Sequence, residues 1–509
     1  MRAIINNFSN AITNDPRNTG KGLARVTTGF NVSSYPRSLV PYRDSEDGNS
    51  NASNDQMQAF CVALRTGTTY SLYGLGRTTA ADKVRVFYKN LTTGASTDLD
   101  DNGWTETANN VSATQATVNY NCFVYYPRLN MIFGGHGSRY IWEYDPDGGT
   151  AFNETDADLT AFTNLAQGVV HSKDDTLYIP YDNKIAKNDN GTWTVAALTI
   201  PNQFYITSIC EFGDLIAIAA APLSGTGNSR VFLWNRVTSA LDLDENVDWG
   251  YGIIKILEEL DGYLVGISIF GNSTIAHKNR VFFKYYTGSS ALSVLELIDT
   301  GTGTQTTLLP IAKQKINNRV HFLMQINLNG SVREGVWSFG KNVNGQFSIV
   351  HERTSNNDTA LSTGTLRGFF YVGDYLFIAY NTSGGVYTVS KTNDSASYSA
   401  SSIAESCINE GIPTEHKMLR KQLTAIGVLY TTLSAAAGQV VVKYKVDGGS
   451  YVTVLTATTT GVNVIEEVKD ASASQFTAGR EYEFRVESTL GAEVISIYFD
   501  YELLETLIS

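Results

Sequence analysis

The chain has 509 residues, a formal net charge of −12, 11% aromatic residues and 17% charged residues. This acidity argues against a general affinity for nucleic acid or for an anionic membrane, although it permits a local basic patch. Few charges and many aromatics are typical of a globular β protein, and no apolar run is long enough to predict a membrane span.

The first 57 residues predict an irregular arm with one strand. Residues 1–9 contain no hydrophobic signal core, so we expect synthesis in a cytoplasm without an encoded export route. Residues 23–32 predict the strand, and residues 43–51 predict a polar loop. The strand could close a ring of sheets by pairing with the last of them, or it could clasp a neighbouring subunit. Both roles would use an exposed strand edge.

One pattern recurs through residues 58–410: a tight turn, an apolar strand, a loop and an apolar-aromatic strand. Clear copies begin at residues 211, 260, 316 and 371. The copies recur about every 40 to 60 residues, a period typical of propeller blades. Several Asn-Gly turns precede an aromatic residue, which predicts the start of a fourth, outermost strand. The sequence therefore predicts an all-β fold with a β-propeller of about seven blades.

The last part of the chain, residues 415–509, predicts a C-terminal β-sandwich joined to the propeller by a linker at 409–414. Residues 439–454 read as a hairpin around the Asp447-Gly448 turn, and residues 481–487 alternate charged and apolar side chains as a half-buried strand does. We expect this sandwich to fold when it is expressed alone from Thr414 to Ser509.

The cysteines and histidines are not spaced in the sequence as the ligands of a metal site are. Cys61, Cys122 and Cys210 each lie in an apolar strand pattern, so we expect buried free thiols there. The six histidines include no pair four residues apart. His136, in a glycine-rich hairpin, is a candidate channel-facing ligand, and its alternative is an ordinary loop residue.

An acidic segment at residues 242–248 spaces oxygen-bearing side chains on alternate residues, as calcium loops do, but has Asn246 near the place of the usual glycine. Its alternative is a solvated loop between blades. The sequence has no Gly-x-Ser-x-Gly motif, which would indicate a nucleophilic serine. The glycine pairs at 74–76 and 301–303 do not lie between a strand and a helix, as a phosphate-binding loop would. We therefore expect a protein that is not an enzyme, with no catalytic residue, no cofactor and no metal ligand.

The leader carries a family resemblance. Residues 7–17 (Asn-Phe-Ser-Asn-Ala-Ile-Thr-Asn-Asp-Pro-Arg), followed by a strand and by Pro36 and Pro41, resemble the opening of tail-associated structural proteins of tailed bacteriophages. The usual glycine pair is replaced here by Asn10-Ala11. Residues 443–449 are similar to the β domains appended to such virion proteins. The resemblance implies a virion component, a nozzle-like ring or a tail-tip propeller.

As partners, the resemblance implies other copies of the chain and other tail proteins, without membrane insertion and without specific nucleic-acid binding, although DNA could pass nearby. Two alternatives stay open. One is a receptor- or glycan-binding module that stacks sugars on Trp142, Trp193 or Trp337. The other is a polysaccharide-degrading propeller enzyme, whose paired carboxylates cannot be chosen from sequence.

Overall fold

The computed structural model describes residues 1–5, 11–12, 23–28, 39, 46–47, 57–77, 84–94, 98–100, 103–106, 118–147, 152–225, 227–242, 246–271, 279–288, 291–301, 306–328, 331–341, 345–354, 365–373, 375–381, 387–392, 402–407, 419–433, 438–470 and 476–504. Its elements in these ranges are β-strands. Within these ranges, no helix has the length and apolar character needed to cross a membrane. The all-β prediction is confirmed.

Two compact units make up the chain. The propeller unit comprises residues 46–334 and 360–393, and the terminal unit comprises residues 1–45, 335–359 and 394–509. The leader contributes to both. It contains β1 (Arg2–Ile5), β2 (Ala11–Ile12), β3 (Leu23–Thr28) and β4 (Glu46–Asp47).

Four-stranded sheets follow one another along the propeller sequence, and seven of them lie in the described ranges. The first three are β5 (Ala59–Thr66), β6 (Thr69–Arg77), β7 (Val84–Asn90) and β8 (Thr105–Glu106); β9 (Val118–Tyr126), β10 (Met131–His136), β11 (Tyr140–Tyr144) and β12 (Phe152–Asp158); and β13 (Val169–His171), β14 (Thr176–Tyr181), β15 (Lys184–Asp189) and β16 (Thr192–Thr199).

The next two sheets are β17 (Phe204–Phe212), β18 (Leu215–Pro222), β19 (Asn228–Trp234) and β20 (Asn246–Tyr251); and β21 (Ile253–Leu260), β22 (Tyr263–Phe270), β23 (Arg280–Tyr286) and β24 (Ala291–Ile298). The sixth is β25 (Thr307–Ile316), β26 (Arg319–Leu328), β27 (Ser331–Lys341) and β28 (Phe347–Thr354). The seventh joins β29 (Thr365–Val372), β30 (Tyr375–Asn381) and β31 (Tyr387–Thr392) to β4.

Tight turns join the first two strands of each sheet where the repeat predicts them. Gly213 has φ +58°, Gly262 +79° and Gly373 +55°, so glycine fits these corners without the steric penalty of a side chain. The predicted Asn190-Gly191 turn also has both residues at positive φ, and β16 starts directly after it. The residues of these turns therefore determine where the chain reverses in each repeat.

The first and seventh sheets pack on each other. Trp104 and Phe60 of the first sheet share one apolar cluster with Phe377 and Val389 of the seventh, and the rings of Trp104 and Phe377 meet edge to face at 5.9 Å. This contact joins the two ends of the row of sheets, which makes the propeller a ring.

The leader closes the last sheet, but not with the strand that we expected. Glu46 pairs with Lys391 and Asp47 with Ser390, so β4 is the outermost strand of the seventh sheet. The described part of the predicted closing strand, residues 23–28 of 23–32, instead forms β3 and pairs antiparallel with β32 (Ser402–Cys407). The expected pairing is wrong because strand edges offer the same backbone groups, and sequence spacing does not say which edge is nearest.

Besides β28 and the larger part of β27, which belong to the sixth sheet, the described part of the terminal unit contains two sheets. One has the order β1, β38 (Ala492–Leu503), β33 (Lys421–Thr432) and β36 (Val464–Lys469). The other has the order β2, β3, β32, β37 (Tyr482–Ser488), β34 (Val440–Val446) and β35 (Val452–Ala457). One apolar cluster contains buried residues of both sheets, including Val428, Phe484 and Phe499.

Both ends of the chain build this sandwich. Ala3 and Ile5 of β1 and Leu39 are buried in its core, and β1 pairs along β38. Strands β1, β2, β3 and β32 lie outside the predicted range 415–509, and β32 lies within the range 58–410 predicted for the propeller. The described leader strands are therefore paired within the chain, and a contact of the leader with a neighbouring subunit stays a prediction.

Candidate functional site

The candidate site is a cavity of about 390 Å³ at the centre of the propeller unit. The first strand of each sheet, or the residues directly before it, contributes to its wall. The wall consists of Phe60, Cys61, Val62, Phe123, Val124, Tyr125, Gln167, Gly168, Val169, Ile209, Cys210, Glu258, Ile311, Lys313 and Phe370. Most of these side chains are apolar or aromatic, as in ligand pockets generally.

Two glutamine side chains join the innermost strands of neighbouring sheets. The Gln167 amide accepts a hydrogen bond from the Phe123 backbone N–H at 2.9 Å and donates to the Phe123 carbonyl at 2.8 Å. The Gln314 amide makes the same pair of bonds with the Tyr371 backbone, both at 2.8 Å. Each amide satisfies a strand edge that would otherwise face the cavity unpaired. These contacts join the second sheet to the third and the sixth sheet to the seventh.

Glu258 is the one carboxylate among the residues of the wall, and Lys313 is its counter-ion. The Lys313 ammonium lies 3.1 Å from Glu258 Oε2, and the two side chains are 12% and 20% exposed. The same ammonium donates to the Leu257 carbonyl at 2.8 Å. The carboxylate and the ammonium therefore neutralise each other's charge in the wall.

Three cysteine thiols are buried and free, which confirms the sequence prediction for Cys61, Cys122 and Cys210. Burial raises the pKa of each thiol: that of Cys122 to about 12, and those of Cys61 and Cys210 well above the ordinary value. The thiolate is the nucleophilic and metal-binding form, so these groups are inert at neutral pH. Cys407 belongs to β32, but its side chain lies outside the described residues.

The aromatic residues proposed for sugar stacking have other roles. Trp142 is fully buried and donates its indole N–H to the Gly135 carbonyl at 3.0 Å. Trp337 is also fully buried, and His351 stacks on it with ring centroids 4.3 Å apart. Trp193 is half-buried and donates to Asp156 at 2.6 Å. The first two indoles therefore cannot present a face to a ligand.

The candidate histidine ligand and the candidate calcium loop lie only partly within the residues that the structure describes. His136 is the last residue of β10, paired with Tyr140, and its side chain lies outside the described residues. In the acidic segment, residues 243–245 also lie outside them. Burial opposes ionisation of Asp248, but hydrogen bonds from Asn228 and from the Gly250 N–H outweigh it and lower the pKa of that carboxyl. Across the described ranges, no group of three or more His, Cys, Asp or Glu side chains could hold a metal ion.

Outside the cavity, two carboxyl groups that the sequence analysis did not predict lie close together. Asn153 donates to both Glu143 Oε1 and Asp156 Oδ1, each at 3.2 Å. Burial raises the pKa of Glu143, and the charge of Asp156 raises it further. Burial also raises the pKa of Asp156, and the hydrogen bond from Trp193, which lowers this pKa, offsets only part of the effect. Glu143 lies opposite Asn153 across β11 and β12, so only the strand register could have revealed the pair.

No protein-family model and no curated protein matches this chain. Solved structures give remote likenesses. An exo-beta-1,3-galactanase from Phanerochaete chrysosporium is 11% identical, with a TM-score of 0.31 over 90% of this chain and 99% of its own. The beta-propeller domain of the Trilobed protease from Pyrococcus furiosus is 10% identical, with a TM-score of 0.37 over 67% of this chain and 96% of its own. At these scores the likenesses carry no argument about activity, and the fold rests on the strand pairings.

Proposed function

We propose that this chain is a structural protein of a tailed-phage virion, located in the tail and working through contacts with its own copies and with other tail proteins. The observation that supports this proposal best is the pairing of Glu258 with Lys313 in the central cavity. Canonical glycoside hydrolysis needs two carboxyl groups on either side of the scissile bond, and this wall supplies one, already paired. Such a wall suits a rigid ring better than a catalytic cleft.

The resemblance of residues 7–17 to the openings of phage tail proteins supplies the virion part of the proposal. The interlocked architecture is consistent with it. The amides of Gln167 and Gln314 fix the innermost strands, and residues from both ends of the chain build one sandwich. A ring held in this way can transmit force between partners without changing shape.

The test uses phage particles whose genome encodes the chain. We expect mass spectrometry to find the chain in purified particles at a fixed ratio to the capsid protein, and antibodies against it to label the tail in electron micrographs. Absence of the chain from purified particles would overturn the virion role. A reducing-sugar assay on host envelope polysaccharide, run with the wild type and the Glu258→Gln variant, tests the enzyme alternative. Sugar release by the wild type alone would establish it.

A second function, binding to surface glycans, is favoured by one exposed aromatic pair. Tyr251 and Phe270 are 63% and 42% exposed, and their rings meet edge to face at 5.9 Å. Exposed aromatic rings are the usual stacking partners of sugars and frequent anchors of protein contacts. We expect Tyr251→Ala to abolish saturable binding to host envelope polysaccharide if this function is real. Tyr70→Ala is the matched control, because Tyr70 is also about half exposed, at 49%.

A further inference from the structure

The innermost strand of the sixth sheet, β25, leaves its ladder beside the central cavity. Its pairing with β26 stops at Leu308 and resumes at Lys313, and residues 309–312 face a single residue of β26. Extra residues of this kind bend a strand away from its partner. Ile311, within this stretch, packs on the apolar cluster of the first and second sheets. The sixth sheet therefore reaches across the ring, and Ile311 forms one side of the cavity.

Side chains of neighbouring sheets satisfy backbone groups at the strand edges around the cavity. The Gln167 amide bonds both the N–H and the carbonyl of Phe123, at 2.9 and 2.8 Å. The N–H of Leu257 donates to Ser208 Oγ at 3.2 Å, and its carbonyl accepts from the Lys313 ammonium at 2.8 Å. A backbone group that already has a partner offers little to water. These strand edges are thus poor sites for ordered water.

Apolar side chains of the wall are left partly uncovered. Val62, Val169, Ile311 and Phe370 line the cavity and are only half-buried. The cavity, about 390 Å³, has room for about a dozen water molecules, each of which needs several polar partners to be held in place. Apolar surface gains free energy when it leaves water. The wall is therefore suited to a molecule with an apolar body.

Glu258 and Lys313 are the charged residues of the described wall, and they neutralise each other. The ammonium lies 3.1 Å from Glu258 Oε2 and donates to the Leu257 carbonyl at 2.8 Å. Glu258 Oε1 accepts a long hydrogen bond from the Glu259 N–H, at 3.4 Å, so the carboxylate keeps acceptor capacity for a hydroxyl. A charged ligand would bring an uncompensated charge into the cavity, which costs free energy, whereas a neutral donor would not.

We propose that the central cavity binds a small neutral molecule that has an apolar body and one hydroxyl group, with the hydroxyl donating to Glu258. A dry cavity of about 150 Å³ takes one benzene ring, so this larger cavity has room for about two fused rings. The apolar body contacts side chains such as Ile311 and Phe370, and the hydroxyl finds its acceptor without displacing Lys313. This inference is independent of the proposed virion role.

The probes are 2-naphthol, naphthalene and 2-naphthoate, because they share one ring system and differ in the polar group. Binding is measured by equilibrium dialysis and by thermal unfolding of the full chain at pH 7. We expect 2-naphthol to bind with saturation, one molecule per chain, and to raise the melting temperature. Naphthalene lacks the donor and should bind at least about fivefold more weakly, and the naphthoate anion at least about tenfold more weakly. The proposal is overturned if 2-naphthol shows no saturable binding below its solubility limit, or if either of the other probes binds as tightly.

A bulkier wall residue separates binding in the cavity from adsorption to the surface. Ile311→Trp places an indole in the cavity and should weaken the binding of 2-naphthol at least about tenfold. Val237→Trp is the matched control, because Val237 is 85% exposed and the variant adds the same side chain at the surface. It should change the affinity less than about twofold. Wild-type affinity in Ile311→Trp would rule out the cavity as the site.

The double variant Glu258→Leu/Lys313→Met tests the hydroxyl contact. It removes both charges together, so no unpaired charge remains from this pair. In this variant 2-naphthol should bind no more than about twofold tighter than naphthalene, and naphthalene should keep its wild-type affinity. A preserved preference for the alcohol would contradict the role of Glu258. If a variant does not melt cooperatively, the comparison of the three probes on the wild type decides the proposal.

Discussion

A glycine beneath a buried tryptophan tests the packing of the second propeller sheet. Gly134 lies in β10, and a Cβ built on it would stand 2.1 Å from Trp142 Cζ2 and 2.5 Å from Cε2. Ordinary carbon contacts are about 3.5 to 4.0 Å, so Gly134→Ala forces the indole to move by more than an ångström. The backbone of Gly134 is not in the left-handed region, so the effect is steric.

The indole has little room to move. Trp142 is fully buried, its ring lies 5.4 Å from Phe152 and 6.2 Å from Phe123, and its N–H is bonded to the Gly135 carbonyl. Overpacking a core costs about 1 to 3 kcal/mol, and a ring fixed on several sides belongs at the upper end. We therefore expect Gly134→Ala to lower the free energy of unfolding by about 3 kcal/mol.

The assay is urea unfolding followed by tryptophan fluorescence, with a double-mutant cycle. Trp142→Phe removes the atoms that clash, so the alanine should cost about 1 kcal/mol or less in that background. Gly74→Ala is the matched control on β6, because its Cβ would meet its nearest neighbour, Met57 Sδ, at 3.0 Å and Trp104 at 3.4 Å. Equal losses at the two glycines, or an unchanged loss in the Trp142→Phe background, would refute the steric reasoning.

Three further predictions concern contacts within the propeller unit and within the terminal unit. Glu143→Gln should raise stability at pH 7 by less than about 1 kcal/mol, and the gain should vanish below about pH 4. The pKa values of Glu143 and Asp156 are raised in the folded state, so the wild type loses stability as the pH rises through these pKa values. An equal gain from the substitution at pH 3 and at pH 7 would contradict this reasoning. Gln167→Ala should cost about 2 kcal/mol in urea unfolding, because it leaves the N–H and C=O of Phe123 unpaired, and a loss near zero would mean that water replaces the amide. Deleting residues 1–5 should destabilise the terminal unit by about 2 to 4 kcal/mol, measured by hydrogen exchange of β38, whereas unchanged protection would show that β1 is dispensable.

Local signals predicted the repeating part of the fold. Turns such as Phe212-Gly213-Asp214-Leu215 specify a hairpin within a few residues, and the structure pairs Phe212 with Leu215 there. Alternating apolar residues also placed Cys122 and Cys210 correctly in buried strands. These features depend on neighbours in sequence, which is why periodicity alone was enough.

Long-range pairings escaped prediction for the converse reason. The backbone of β3 would pair equally well with several edges, and its partner β32 is separated from it by the whole propeller sequence. The central cavity was equally inaccessible, since Glu258 and Lys313 are brought together only when the fifth and sixth sheets become neighbours. Spacing along the chain carries no information about such contacts.

The pairing of Glu46 with Lys391 has a consequence for the order of folding. In an unfolded chain, joining β3 to β32 closes a loop of about 375 residues, whose entropic cost grows with the logarithm of its length. Once β4 has joined β31, the effective loop is only about 30 residues, which lowers the closure cost by about 2 kcal/mol. Closure of the propeller thus lowers the entropic cost of forming the sandwich. The leader strands are then among the last elements to acquire their partners, so growing chains should expose them until β31 and β32 have been synthesised.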